Sequence, residues 1–213
     1  MTAPAFHRLM VDVLGYKCYL THGGDCGAFI TRSMAMQYSQ HVRAQHLTFV
    51  PCTPPPWYKN PLAMGRLILS SYLYSAADKK ALDRLQYYLK EQSGYLGQQP
   101  TRPQSLGFGL GDSSIGLLGW LLKKYHEWMN VENYDLPADE ILGYVVMHWM
   151  QGAWPGLRYY KAAYSEKDPS SVQKAFTSYT NTSTGVSHFP MKMKTPREWV
   201  AAVVNLHFWK DHD

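Results

Sequence analysis

"GYKCYLTHGGDCGAFITRSMA", residues 15–35, sets an aspartate among glycines where a strand-like run gives way to a helix-like one. Gly23-Gly24-Asp25-Cys26-Gly27 has the spacing of a nucleophile elbow, a strand-to-helix turn so tight that small residues flank it. On that reading the glycines have a steric role, because the two backbones pass too close for side chains on either side of the turn. The start of the following helix favours a carboxylate through its dipole. The N–H of Cys26 is then a candidate oxyanion donor. The alternative is an ordinary glycine-rich turn with Asp25 as a helix N-cap. Pattern alone leaves both readings open, and the elements on either side favour the elbow.

Upstream, "APAFHRLMVDVL" (3–14) puts Phe6, Leu9, Met10, Val13 and Leu14 at helical spacing, with Gly15 as the terminator. "YKCYL" (16–20) reads as a short strand, "AFITRSMAMQYS" (28–39) as a helix and "VRAQHLTFV" (42–50) as a second β-run. This rhythm predicts an α/β fold with a parallel sheet and crossover helices. It breaks at "PCTPPPWYKNP" (51–61), after which the chain reads as almost wholly helical to residue 164. A Ser-, Thr- and Lys-rich stretch (165–184) is predicted to be a loop, and "TGVSHFP" (184–190) a strand. "TPREWVAAVVNL" (195–206) is predicted to be a helix with Thr195 as N-cap, Pro196 at N1 and Glu198 at N3. The expected divisions are therefore residues 1–50, part of an α/β core with the elbow, 51–164, a helical cap, and 165–213, a return to the core.

The 213 residues are 46% hydrophobic and 17% charged, enough for one packed core-forming domain and unlike a disordered chain. A formal charge of +5 is mild and dispersed, which argues against a nucleic-acid partner. Three cysteines, Cys18, Cys26 and Cys52, show neither a disulfide framework nor a zinc spacing. A reducing, cytoplasmic setting is expected, with no metal or cofactor. No apolar run is long enough to span a bilayer, so no membrane segment is expected.

Several motifs carry a resemblance. The stretch 15–35 is similar to the nucleophile region of the microsomal-type epoxide hydrolases, whose elbow typically reads Gly-Gly-Asp-Trp-Gly-Ser. "SGYLGQQPTRPQSLGFGLGDSSIGLLGWLLKKYHEW" (93–128) resembles that family's cap, including Thr101-Arg102-Pro103 and Asp112-Ser113-x-x-Gly116-Leu117. "LRYYKAAY" (157–164) and "TGVSHFP" (184–190) also match, in order, and the flavour is that of the fungal branch. The resemblance implies a partial α/β-hydrolase core with an inserted helical cap. It implies that a small apolar or secondary-metabolite epoxide is opened to a diol through an ester on Asp25. Tyr95 and Tyr160 match the two tyrosines that donate hydrogen bonds to the epoxide oxygen, with Tyr159 one position away. Trp57, Trp120, Trp149 and Trp154 suggest an apolar pocket, with Trp154 taken as the substrate-binding residue. A carboxylate is ordinarily ionised at neutral pH, so this nucleophile needs no base for its first step.

The chain also departs from the family pattern. Lys192 stands where the charge-relay acid is expected, and His207 and His212 lie upstream of the position expected for the base. Cys26 and Ala28 replace the usual Trp and Ser. The family's His-Gly-x-Pro loop belongs to a region before residue 1, so the sequence reads as truncated at both ends. Turnover by this chain alone is therefore expected to be impaired. The competing expectation is a non-catalytic relative, acting as a binding or partner module or being a degenerate gene product. Exposed sheet edges would then drive self-association or pairing with a partner subunit.

Overall fold

The structure, a computed structural model, describes residues 2–50, 52–53, 58, 61–69, 72, 74–129, 134–164, 177–189 and 193–212. Trp57 and Lys192 lie outside the described residues. The chain divides into two compact units, residues 1–87 with 172–213, and residues 88–171.

The first unit is built on a four-stranded parallel sheet in the order β1-β2-β3-β4. Its strands are β1 (Tyr19–Gly23), β2 (Val42–Leu47), β3 (Thr180–His188) and β4 (Val204–Asp211). Helix α1 (Thr2–Arg8) precedes β1, and α2 (Cys26–Gln37) connects β1 to β2. The unit also takes in α3 (Pro61–Ile68) and α4 (Ala76–Tyr87), which the sequence reading assigns to the helical insertion. Helix α10 (Arg197–Ala201) leads into β4. Buried Ala28, Leu47, Val50, Val186, Trp199, Val200 and Val204 form one apolar cluster, while Ala3, Tyr19, Met34, Ala35 and Val42 form another. Burial of this kind is the main favourable term in folding.

Three local expectations are corrected. First, the α-helix that opens the chain stops at Arg8 and passes into a π-helical turn over Leu9–Val13. From there the 3.6-residue period lapses, and Leu9, Val13 and Leu14 are exposed, as is Phe6. The terminator stands as expected, with Gly15 at φ +75°. Second, β3 begins at Thr180 inside the stretch expected to be a loop, and most of its polar side chains are buried. β-branched threonines suit a strand. The Thr184 hydroxyl is satisfied locally, donating to the Thr182 carbonyl (2.8 Å) and accepting from the Gln45 amide (2.9 Å), whereas the Thr180 hydroxyl has no hydrogen-bond partner among the described residues. Third, the last helix spans only Arg197–Ala201, with Pro196 at the N-cap position. The Thr195 hydroxyl instead donates to the Val50 carbonyl at 3.0 Å, and Val204 to Leu206 belong to β4.

The second unit is helical. It comprises a π-helical turn at Tyr88–Gln92 and helices α5 (Gly94–Thr101), α6 (Pro103–Asp112), α7 (Ser114–Trp128), α8 (Ala138–Gln151) and α9 (Trp154–Ala163). Leu110, Leu117, Val145 and Leu157 form its core, with Trp120 and Ile141 packed against them. Ser113 caps α7, accepting from the Gly116 N–H at 3.0 Å. Among the described residues no helix is long and apolar enough to cross a membrane.

Candidate active site

Asp25 stands between β1 and α2 with φ 46° and ψ −123°, the only non-glycine residue at positive φ among those described. An L-residue held there carries about 1–3 kcal/mol of backbone strain. Although it occupies the N-cap position of α2, its carboxylate makes no capping hydrogen bond and the residue is exposed. The capping alternative thus loses its physical basis.

The steric reason for the glycines holds on the strand side and fails on the helix side. A Cβ on Gly23 would collide with the Gly27 carbonyl and lie 2.9 Å from Thr31 Cγ2, and one on Gly24 would collide with the Thr48 hydroxyl. A Cβ on Gly27 would meet nothing within 4 Å. What matters at Gly27 is its backbone, against which Gly23 is packed. Cys26 is the first residue of α2, so its N–H is one of the first-turn amides that lack an intrahelical carbonyl. Its thiol is exposed.

Beneath the elbow, the parallel register sets His22 of β1 beside His46 of β2, their Nδ1 atoms 2.9 Å apart. His46 Nε2 lies 3.0 Å from the Ser187 hydroxyl on β3. Burial first, then His22 and His212, hold His46 below the ordinary histidine pKa. At the end of β3, His188 is buried against Trp209, their ring centroids 4.5 Å apart. Lys194 bridges Asp78 (3.5 Å) and Asp211 (2.9 Å). His212 stacks on Phe189 with centroids 4.6 Å apart.

In the second unit Tyr95 of α5 and Tyr160 of α9 meet edge to face, ring centroids 5.9 Å apart. Both are half-buried, whereas Tyr159 is 41% exposed, so of the two neighbours Tyr160 is the one against Tyr95. The hydroxyls of Tyr88 and Tyr95 lie 2.7 Å apart. Trp128 packs on Tyr95 at 5.5 Å. Lys124 of α7 donates to the Trp120 carbonyl (3.0 Å) and lies 5.4 Å from the Tyr95 ring centroid. Burial, then Lys123, bring the Lys124 amine down to about 8. Trp154 sits against Phe108, centroids 5.0 Å apart, and so close to α6 that a Cβ on Gly107 would lie 2.6 Å from its ring. Its surroundings within the unit are those of a packing residue.

Sequence reading missed Lys124 and the pairing of His22 with His46. Lys124 had a usable signal, one helical turn after Trp120 in a cap rich in aromatics. The histidine pair had none, because register across a parallel crossover is not written in either strand. Among the described residues, no group of three His, Cys, Asp or Glu is placed to hold a metal ion.

No protein-family model matches the chain. Over 212 residues it is 29% identical to epoxide hydrolase 1 of Sus scrofa, covering 93% of this chain and 46% of that protein. A solved Aspergillus niger epoxide hydrolase superposes with a TM-score of 0.79 at 30% identity, over 99% of this chain and 50% of that one. The chain is related to the microsomal-type epoxide hydrolases. The juvenile hormone epoxide hydrolase of Bombyx mori superposes equally well, TM-score 0.79, at 22% identity over 99% of this chain and 52% of that one, a likeness of fold. The parallel sheet and its flanking helices are part of an α/β-hydrolase core. The chain spans about half the length of these epoxide hydrolases.

Proposed function

We propose that the chain is an epoxide hydrolase-like enzyme in which Asp25 opens a small apolar or secondary-metabolite epoxide. The observation that carries this reading is the strained Asp25 backbone, with a carboxylate that caps nothing. Strain of that kind persists where the surrounding fold over-determines it, and it clusters at functional sites.

The carboxylate attacks an epoxide carbon, a C–O bond of the ring breaks, and the released oxygen takes a proton from Tyr95 or Tyr160. Phenols aimed at a developing alkoxide stabilise its charge. Water then attacks the resulting ester with the Cys26 N–H supporting the oxyanion, the acyl C–O bond breaks to release the diol and the Asp25 carboxylate, and the proton that the water sheds restores the tyrosine. Lys192 stands in the sequence where a carboxylate is expected, and a lysine does not support an imidazolium as a carboxylate does, so the second step is expected to be slow. The three cysteines form no disulfide among the described residues, which fits a reducing, cytoplasmic setting.

Intact-mass spectrometry after incubation with styrene oxide tests the nucleophile. The expected result is a single adduct on the wild-type chain and none on Asp25→Ala. An adduct retained in that variant, or no adduct with either protein, counts against this reading.

A second reading, a self-associating or partner module, is favoured by β1, an outer strand with Leu20 73% exposed and Phe6, Leu9, Val13 and Leu14 exposed before it. Such edges invite pairing. Sedimentation is then expected to show a dimer or larger species at micromolar concentration, and a monodisperse monomer would remove that reading.

A further inference from the structure

We propose that Ser187, His46 and His22 form a proton-sharing relay that positions the Asp25 elbow and releases it in acid. The relay links three neighbouring parallel strands with two hydrogen bonds, 3.0 Å from Ser187 Oγ to His46 Nε2 and 2.9 Å from His46 Nδ1 to His22 Nδ1. The two imidazoles lie 5.0 Å apart between centroids and only 15° from parallel. Given a centroid-to-nitrogen distance of roughly 1.1 Å, fixed by the ring's covalent geometry, this separation leaves the Nδ1 atoms facing each other almost in line. A contact of that kind is an N–H···N hydrogen bond, which needs one proton and one lone pair between the rings. When both rings are protonated, neither Nδ1 keeps a lone pair and the contact becomes an N–H···H–N collision between two cations.

The two hydrogen bonds are coupled in direction. With Nε2–H of His46 donating to Ser187, Nδ1 of His46 holds the lone pair and His22 donates to it. Reversed, Ser187 donates to Nε2 and His46 donates through Nδ1 to His22, so in either direction one bond sets the tautomer that the other needs. His22 is the last residue before the Gly23-Gly24-Asp25 turn, so the relay anchors the strand that carries the strained aspartate. It makes His22 and His46 positioning residues for the elbow.

The groups that face His46 leave a second proton uncompensated. His22 and His212 oppose it, and so does burial, while no carboxylate stands among the influences on this ring. The Ser187 hydroxyl accepts or donates but carries no charge, and Gly185 of β3, where an added Cβ would lie 3.3 Å from the His46 ring, brings no polar side chain. The sign follows. His46 favours its neutral form when the relay is closed, so the open state takes up protons first as the pH falls. The anchor is complete above the ordinary histidine range, near pH 6.5, and weakens below it.

Amide hydrogen exchange over residues 20–27, expressed as protection relative to intrinsic rates at each pH, tests the relay without assuming any enzymatic activity. The wild type is expected to lose protection at least tenfold between pH 7.5 and pH 5. His22→Gln keeps a donor for neutral His46 and supplies a carbonyl acceptor for protonated His46, so its protection is expected to be high and nearly independent of pH. His22→Ala, with neither group, is expected to be weakly protected at both pH values. Wild-type protection that does not change with pH overturns the proposal. So does an acid loss that survives in His22→Gln, which would place the titrating group elsewhere, or protection in His22→Ala equal to wild type at pH 7.5.

Discussion

Alanine at position 23 is expected to lower the melting temperature by roughly 10 °C, while alanine at position 27, four residues away in the same motif, raises it slightly. The two glycines look alike in sequence but differ in what surrounds them. A methyl group on Gly23 would enter the space of the Gly27 carbonyl and press on the Thr31 methyl, and the first of these is backbone at the start of a helix, which cannot swing aside. Overpacking of this kind costs about 1–3 kcal/mol, and an obstacle made of backbone belongs at the upper end. For a domain of this size, 1 kcal/mol corresponds to about 2–4 °C. A methyl on Gly27 finds open space within α2, where alanine exceeds glycine in helix propensity by about 0.8–1.0 kcal/mol. Gly24→Ala falls between them, since the obstructing Thr48 hydroxyl belongs to a side chain with other rotamers. Thermal unfolding of the three variants checks the order. Equal destabilisation by Gly23→Ala and Gly27→Ala would mean that the elbow is not packed as described.

The elbow was legible because its chemistry is local. Five consecutive residues carry the spacing, the strand and helix flank it directly, and the strain at Asp25 is a property of one residue. The parallel sheet followed from the same local rhythm. Partnerships across the crossovers were not legible. His22 finds His46, 24 positions on, through a register that depends on how the chain between them packs, and Ser187 reaches His46 from 141 residues away. β3 was half hidden because a run of Thr, Asn and Ser reads as loop chemistry when its burial is not known. Once buried, the same β-branched side chains suit a strand, and the Thr184 hydroxyl bonds back to its own backbone. At the N-terminus the apolar stripe is periodic in sequence but does not continue as one α-helical face. The π-helical turn at Leu9–Val13 shifts the phase, and no single residue there announces it. The tyrosines were a different case. Sixteen tyrosines give no basis for singling out two, and only the family resemblance points to Tyr95 and Tyr160. Their edge-to-face contact across α5 and α9 is an independent geometric fact about that pair.

Leucine at position 188 is expected to make the protein resistant to mild acid. His188 is 3% exposed, and neither of its ring nitrogens has a hydrogen-bond partner. Burial is the main reason its pKa falls to about 4, with the Lys194 ammonium adding to the effect and the Asp211 and Asp78 carboxylates opposing it. The unfolded chain's imidazole titrates near its ordinary value of about 6.5. As the pH drops, the unfolded state therefore binds a proton that the folded state refuses. Stability is whole above about pH 6.5, declines through the interval, and reaches its full loss near the folded value of about 4. The gap of about 2.5 pKa units corresponds to a loss of about 3 kcal/mol, an upper figure because local opening lets water reach the ring. Leucine is close to histidine in volume and brings no unsatisfied nitrogen into the Trp209 contact. Near neutral pH the substitution is expected to be neutral or mildly stabilising, since unmade hydrogen bonds in a core are a cost of about 1–3 kcal/mol. Urea unfolding at pH 7.5, 5.5 and 4.5 should therefore show the two proteins diverging as acid is added. The wild type loses stability faster, and the gap between them widens by about 3 kcal/mol at most. Other acid-sensitive groups, including the His22–His46 pair, remain in both proteins and cancel in the difference. Parallel curves would mean that His188 takes up its proton in the folded state as readily as in the unfolded one.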